Sequence, residues 1–73
     1  PTLPASEVKV IVDDTVDEAA LVAYEARYRC EHWFVQPCQD DRYPHHLARA
    51  IDLATRRPRW RLSLQLHKVI GVP

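Results

Sequence analysis

Two short clusters in this sequence hold side chains that could recognise a ligand. The closing stretch RWRLSLQLHKVIGVP, Arg59 to Pro73, alternates cleanly and then presents Gln65, His67 and Lys68 within four positions. A structural strand has no need of an amide, an imidazole and an ammonium at its end, whereas a strand feeding an active site does. The second cluster, Gln36, Pro37, Cys38 and Gln39, closes the stretch HWFVQPCQ. It falls at the C-terminal end of a strand-like run, where α/β folds place ligand contacts. Each cluster also has a plainer reading. Gln36 can bond neighbouring backbone, His67 can be a satisfied structural histidine, and Lys68 can be a solvated cation.

Other residue sets are weaker candidates. Cys30, His32, Cys38, His45 and His46 are the residue types of a zinc site. Six strand residues at about 3.3 Å each would hold His32 and Cys38 roughly 20 Å apart, too far for one tetrahedral centre, so no metal site is expected. The same distance excludes a Cys30–Cys38 disulfide. RRPRWR, Arg56 to Arg61, could be a small nucleic-acid patch, but a helix end followed by strand alternation accounts for it. Asp13, Asp14, Asp40 and Asp41 read as turn and capping residues. No Ser-His-Asp set, phosphate loop or carboxylate pair stands out.

The elements that must position these residues follow from periodicity. Pro1 to Ala5 reads as an extended lead-in. EVKVIV, Glu7 to Val12, is a valine-rich strand. Thr15 and Glu18 are spaced as a capping box, which predicts a helix over 16–29 with Val16, Ala20, Leu21, Tyr24 and Tyr28 on its apolar face. His32 to Pro37 is a strand buried on both faces and ended by Pro37. Pro44 suits the first turn of a second helix, with Leu47, Ala50, Ile51 and Ala54 inward and Arg56 and Arg57 in the last turn. Trp60, Leu62 and Leu64 then alternate with Arg61, Ser63 and Gln65.

This order is β-α-β-α-β: an α/β chain with three parallel strands in the order 1-2-3 and both helices on one face. Such a sheet leaves its other face uncovered, unlike ordinary parallel sheets. The third strand therefore looks like a wall of a barrel with a polar interior.

Bulk properties bound the rest. Seventy-three residues make one domain, 1–73, that is marginally stable alone. Ten basic and ten acidic residues cancel, which argues against a nucleic-acid binder working by bulk charge. No apolar run approaches the ~20 residues of a membrane span. Two cysteines without a signal peptide suggest a reducing, cytoplasmic setting. The sequence has no methionine, so either an initiator was removed or the chain is a piece of something longer.

Three stretches together carry a family resemblance. EVKVIV is similar to a strand of the form ELKVVI, FVQP to a strand end FLVQP, and RWRLSLQLHKVIGVP to a closing QWRLSxQTHKxxxIP. In this order and spacing they resemble the C-terminal third of 7-carboxy-7-deazaguanine synthase, a radical S-adenosylmethionine enzyme of the queuosine pathway. The resemblance implies a segment of a partial TIM-like barrel. The family holds a [4Fe-4S] cluster on three closely spaced cysteines and cleaves S-adenosylmethionine to a radical. With magnesium, it contracts the ring of 6-carboxy-5,6,7,8-tetrahydropterin. The cysteine triad is not in this chain, and neither Cys30 nor Cys38 falls where a ligand would.

Carried over by residue, the resemblance gives Gln36, Pro37, Cys38 and Gln39 to the S-adenosylmethionine loop. Gln65, His67 and Lys68 go to the substrate mouth, and the Pro73 carboxylate to a substrate contact. Gln39 departs from the family's usual acid, and Leu66 from its usual Thr. The expected chain is thus the C-terminal part of such an enzyme, with no catalytic residue and no cofactor of its own. Its expected partner is the remaining N-terminal part or a second copy, with neither nucleic acid nor membrane. The alternative is a non-catalytic α/β module that binds through its uncovered sheet face.

Overall fold

A computed structural model of the chain describes residues 2–64. The strands are β1 (Leu3–Pro4), β2 (Val8–Val12), β3 (Tyr28–Arg29), β4 (Trp33–Pro37) and β5 (Trp60–Leu62). The helices are α1 (Glu18–Arg27) and α2 (Tyr43–Arg56). β2, β4 and β5 form a parallel sheet with β4 central, which is the expected 1-2-3 order of the three main strands. A second, two-stranded parallel sheet pairs β1 with β3. The described residues thus form a small α/β domain with two parallel sheets.

That second sheet corrects two expectations. The lead-in is partly a strand, because Leu3 and Pro4 pair with Tyr28 and Arg29 and the Ala5 N–H donates to the Arg29 carbonyl at 3.1 Å. The same pairing ends α1 at Arg27 instead of residue 29, with Tyr28 already extended at φ −118°, ψ 152°. The helix start also differs. Asp13 Oδ1 accepts from both the Thr15 N–H (2.8 Å) and its hydroxyl (2.6 Å), which turns the Thr15 side chain back toward Asp13. Asp17 is the N-cap instead, accepting from the Ala20 N–H at 3.0 Å.

The core lies between one face of the sheet and the helices. Val8, Val10, Val12, Trp33, Val35 and Trp60 alternate inward and meet Leu21 of α1 and Ala50 and Leu53 of α2. Both helices therefore cover the same face. The helix faces differ from the periodicity. Leu21 is the buried residue of α1, while Tyr24 is exposed. α2 buries His46, Ala50 and Leu53, while Ile51 is 47% exposed.

The other sheet face carries two cross-strand rows. Lys9, Phe34 and Arg61 are in register, as are Ile11 and Gln36. Lys9 Nζ lies 5.9 Å from the centre of the Phe34 ring. Ile11 is exposed and Gln36 is 4% exposed. β4 also ends asymmetrically. The Cys38 N–H continues the ladder to the Val12 carbonyl at 2.9 Å, and the Ser63 N–H bonds the Val35 carbonyl at 2.9 Å. Pro37 between them has no N–H to donate.

Candidate functional site at the C-terminal edge of the sheet

Parallel strands bring their C-terminal ends to one edge, and the loops after β2 and β4 meet there. Asp13 and Asp14 follow β2; Cys38, Gln39 and Asp40 follow β4; His45 and His46 stand in the first turn of α2. Local chemistry fixes the second loop. Asp40 Oδ1 accepts from the Arg42 N–H at 2.9 Å, and Pro44 opens the helix behind it. From α2, Arg49 donates to the carbonyls of Asp13 (3.3 Å) and Val16, tying the two loops together.

The side chains converge in two groups. Asp14 pairs with Arg42 and His45, each at 2.6 Å, near the surface. Deeper, His46 is 2% exposed, and its Nε2 lies 3.0 and 3.2 Å from the two carboxylate oxygens of Asp40. The Cys38 thiol donates to Asp40 Oδ2 at 3.6 Å. Cys38, Asp40 and His46 each offer a donor atom within 4.8 Å of the other two. His46 Nδ1 and Gln39 Nε2 are buried with no partner among the described residues.

The electrostatics favour binding over nucleophilic attack. Hydrogen bonds from Thr15 hold the Asp13 carboxyl below the usual range, a hydrogen bond to His45 does the same for Asp14, and the Arg42 N–H does so for Asp40. Burial, then the Asp40 charge, pushes the Cys38 thiol up. Cys38 is thus held protonated, the opposite of an activated cysteine.

Of the expected S-adenosylmethionine loop, the structure brings Cys38 and Gln39 into this edge. Gln36 and Pro37 alternate to opposite faces: Gln36 lies on the face away from the helices, in register with Ile11, and Pro37 is buried. The expected substrate group, Gln65, His67, Lys68 and Pro73, lies outside the described residues. Cys30 and Cys38 are both free thiols at opposite ends of β4. The spacing argument weighed His32 against Cys38 and did not reach His45 or His46. It missed that Cys38 reaches His46 through Asp40. The available signal was a Cys-x-Asp directly after a strand with a His in the first turn of the next helix.

One of the resemblance's implications can be set against the residues present. A [4Fe-4S] cluster takes about four ligands, mostly thiolates. The chain has two cysteines, a strand apart, so its residues do not fit the cluster. Two arginines of the basic stretch are engaged within the chain: Arg56 bonds Asp52 at 2.9 Å, and Arg57 bonds Glu25 at 2.9 Å and Glu18 at 3.3 Å. Among the described residues, no helix is long and apolar enough to cross a membrane.

No family model matches the chain. Curated proteins do. A 7-carboxy-7-deazaguanine synthase of Burkholderia multivorans is 35% identical over 68 residues, covering 93% of this chain and 31% of that protein. The synthase of Bordetella pertussis is 44% identical over 43 residues, covering 59% of the chain and 20% of that protein. That of Haemophilus influenzae is 26% identical, covering 93% of the chain and 34% of that protein. The chain spans about a fifth to a third of the length of the curated relatives it matches, and over that span it is homologous to proteins named 7-carboxy-7-deazaguanine synthase.

Proposed function

We propose that these residues are the C-terminal β-α-β-α-β portion of a 7-carboxy-7-deazaguanine synthase-like enzyme of the radical S-adenosylmethionine type. They would form one wall of a partial TIM-like barrel in a cytoplasmic protein. The observation that supports this best is the 35% identity to the Burkholderia multivorans synthase along nearly the whole chain. The sheet adds to it, because Gln36 is the last residue but one of the central parallel strand and lies on the face that the helices leave free. In this reading Gln36 to Gln39 bind S-adenosylmethionine. Gln65, His67, Lys68 and Pro73 face 6-carboxy-5,6,7,8-tetrahydropterin. The iron–sulfur cluster and the magnesium site are supplied by residues outside these 73. The chain's own work is binding and orientation, and it is not catalytic alone.

Reconstitution tests this. The chain is combined with the N-terminal two-thirds of the Burkholderia multivorans synthase, and S-adenosylmethionine binding is measured by calorimetry. The assembled pair should bind, and Gln36→Ala should weaken binding about tenfold, the worth of one lost hydrogen bond at the upper end of its usual range. Failure of the pair to bind, or equal affinity with Gln36→Ala, would overturn the assignment.

A second reading rests on the sheet face bearing exposed Ile11 beside Phe34. As a non-catalytic module, the chain would self-associate or take a protein partner there. Sedimentation would then show a concentration-dependent dimer that Ile11→Lys abolishes.

A further inference from the structure

We propose that Cys38, Asp40 and His46 form a site for a zinc-class divalent metal ion, with one coordination position open. The geometry is the first support. Bonds of about 2.3 Å to sulfur and about 2.0–2.2 Å to nitrogen and oxygen place tetrahedral ligand atoms about 3.6 Å apart for S···O and about 3.4 Å for N···O. Cys38 Sγ is 3.6 Å from Asp40 Oδ2, and His46 Nε2 is 3.2 Å from the same oxygen. The third edge, sulfur to nitrogen, is within 4.8 Å. Two of the three edges, both to the Asp40 carboxylate, therefore stand at near-coordinating separations before any ion arrives.

The second support is burial. His46 is 2% exposed and keeps Nδ1 without a partner among the described residues, an uncommon state for a buried ring nitrogen. The nitrogen that faces Asp40 is Nε2, so the buried ring is held with its coordinating edge toward the carboxylate. The ligand positions are also fixed by backbone. The Cys38 N–H is tied to Val12, Asp40 holds the Arg42 N–H, and His46 is anchored in α2.

Donor chemistry selects the ion. A thiolate with an imidazole and a carboxylate suits zinc and cobalt, whereas magnesium and calcium prefer all-oxygen shells. Binding replaces the thiol hydrogen: the S–H bond breaks, the sulfur keeps the electron pair and donates it to the metal, and one proton leaves to the buffer. Three protein ligands leave the fourth position to water or to a ligand atom from elsewhere, as in catalytic zinc centres. The site shares Cys38 with the synthase reading and goes beyond it, since that reading gives Cys38 an S-adenosylmethionine contact and no metal.

The test is titration of the reduced chain with cobalt(II) under anaerobic conditions, followed by absorption, with circular dichroism of each variant. One equivalent should bind, with tetrahedral d–d bands and a thiolate-to-cobalt charge-transfer band, one proton released, and displacement by zinc. Cys38→Ser should abolish the charge-transfer band and weaken binding at least tenfold. Cys30→Ser should change nothing. His46→Gln should also weaken binding; because it alters a buried residue, Asp40→Asn at an exposed carboxylate gives the same readout without touching the core. The assignment is overturned by a titration without a thiolate band, a band that persists in Cys38→Ser or vanishes in Cys30→Ser, or unchanged affinity in Asp40→Asn. Such results leave the synthase reading untouched, since its test measures a different ligand.

Discussion

The two edges of the same sheet are built on opposite principles. At the N-terminal edge, Trp33 and Trp60 pair across adjacent strands with ring centres 5.1 Å apart. Each indole N–H has an acceptor: Trp33 donates to the Cys30 carbonyl at 3.1 Å and Trp60 to Glu25 at 2.7 Å. Glu25 in turn takes two 2.9 Å hydrogen bonds from Arg57. At the C-terminal edge, Asp13, Asp14, Asp40 and His45 are wet or half-wet, and buried nitrogens of Gln39 and His46 stay unpaired among the described residues. One edge uses its polar groups up within the chain. The other leaves them convergent and under-used, which is where a ligand would have something to gain.

The contrast breaks most readily at Trp60. Trp60→Ala removes a side chain that is 1% exposed and takes one donor from Glu25, and should cost about 3–5 kcal/mol. That is a large share of the stability of a domain this small. Urea unfolding followed by circular dichroism should show the variant mostly unfolded; a midpoint near that of the parent would mean the tryptophan pair is not what holds this edge.

A smaller effect is expected at Glu25. Glu25→Gln should cost about 1–3 kcal/mol at neutral pH, because Arg57 loses a charged acceptor. Arg57 holds the Glu25 carboxyl below its ordinary value of 4.5. A carboxyl so depressed contributes stability that is present above the unfolded value and lost as pH falls through the folded one. Wild type should therefore lose stability below pH 4.5 more steeply than Glu25→Gln, with the shared remainder due to Asp13, Asp14 and Asp40. Parallel pH curves would remove Glu25 from the network.

The smallest effect belongs to the other edge. Asp14→Asn deletes two exposed pairs and should leave the urea midpoint within measurement scatter. A clear loss of stability there would erase the distinction between the edges.

Local chemistry decided which parts of this architecture could be read from sequence. Trp33 to Pro37 and the helix opening at Pro44 were legible because valine, aromatics and proline act through their own backbone preferences. The short β1–β3 pairing was not, since two residues have no period and Tyr28 and Arg29 continue a helical pattern. Thr15 misled because its hydroxyl is engaged by Asp13, a competition invisible in spacing. In α2 the apolar set Leu47, Ala50, Ile51 and Ala54 lies about a step around the helix from the buried set His46, Ala50 and Leu53. A buried histidine does not register in an apolar pattern. For the same reason Cys38 and Asp40 were seen as loop residues, apart from the His46 they meet in space.

Pro37 gives the C-terminal edge an uneven stiffness. In a parallel ladder each residue addresses one neighbour, and residue 37 is the one whose N–H would reach the Ser63 carbonyl. That rung is missing, while the next N–H, that of Cys38, is fastened to Val12. The seam between β4 and β2 therefore stays laced for one residue after the seam between β4 and β5 has been released. A molecule lodging at this edge would meet Cys38 fastened through its N–H on one side and, on the other, a Ser63 carbonyl that Pro37 has no N–H to bond.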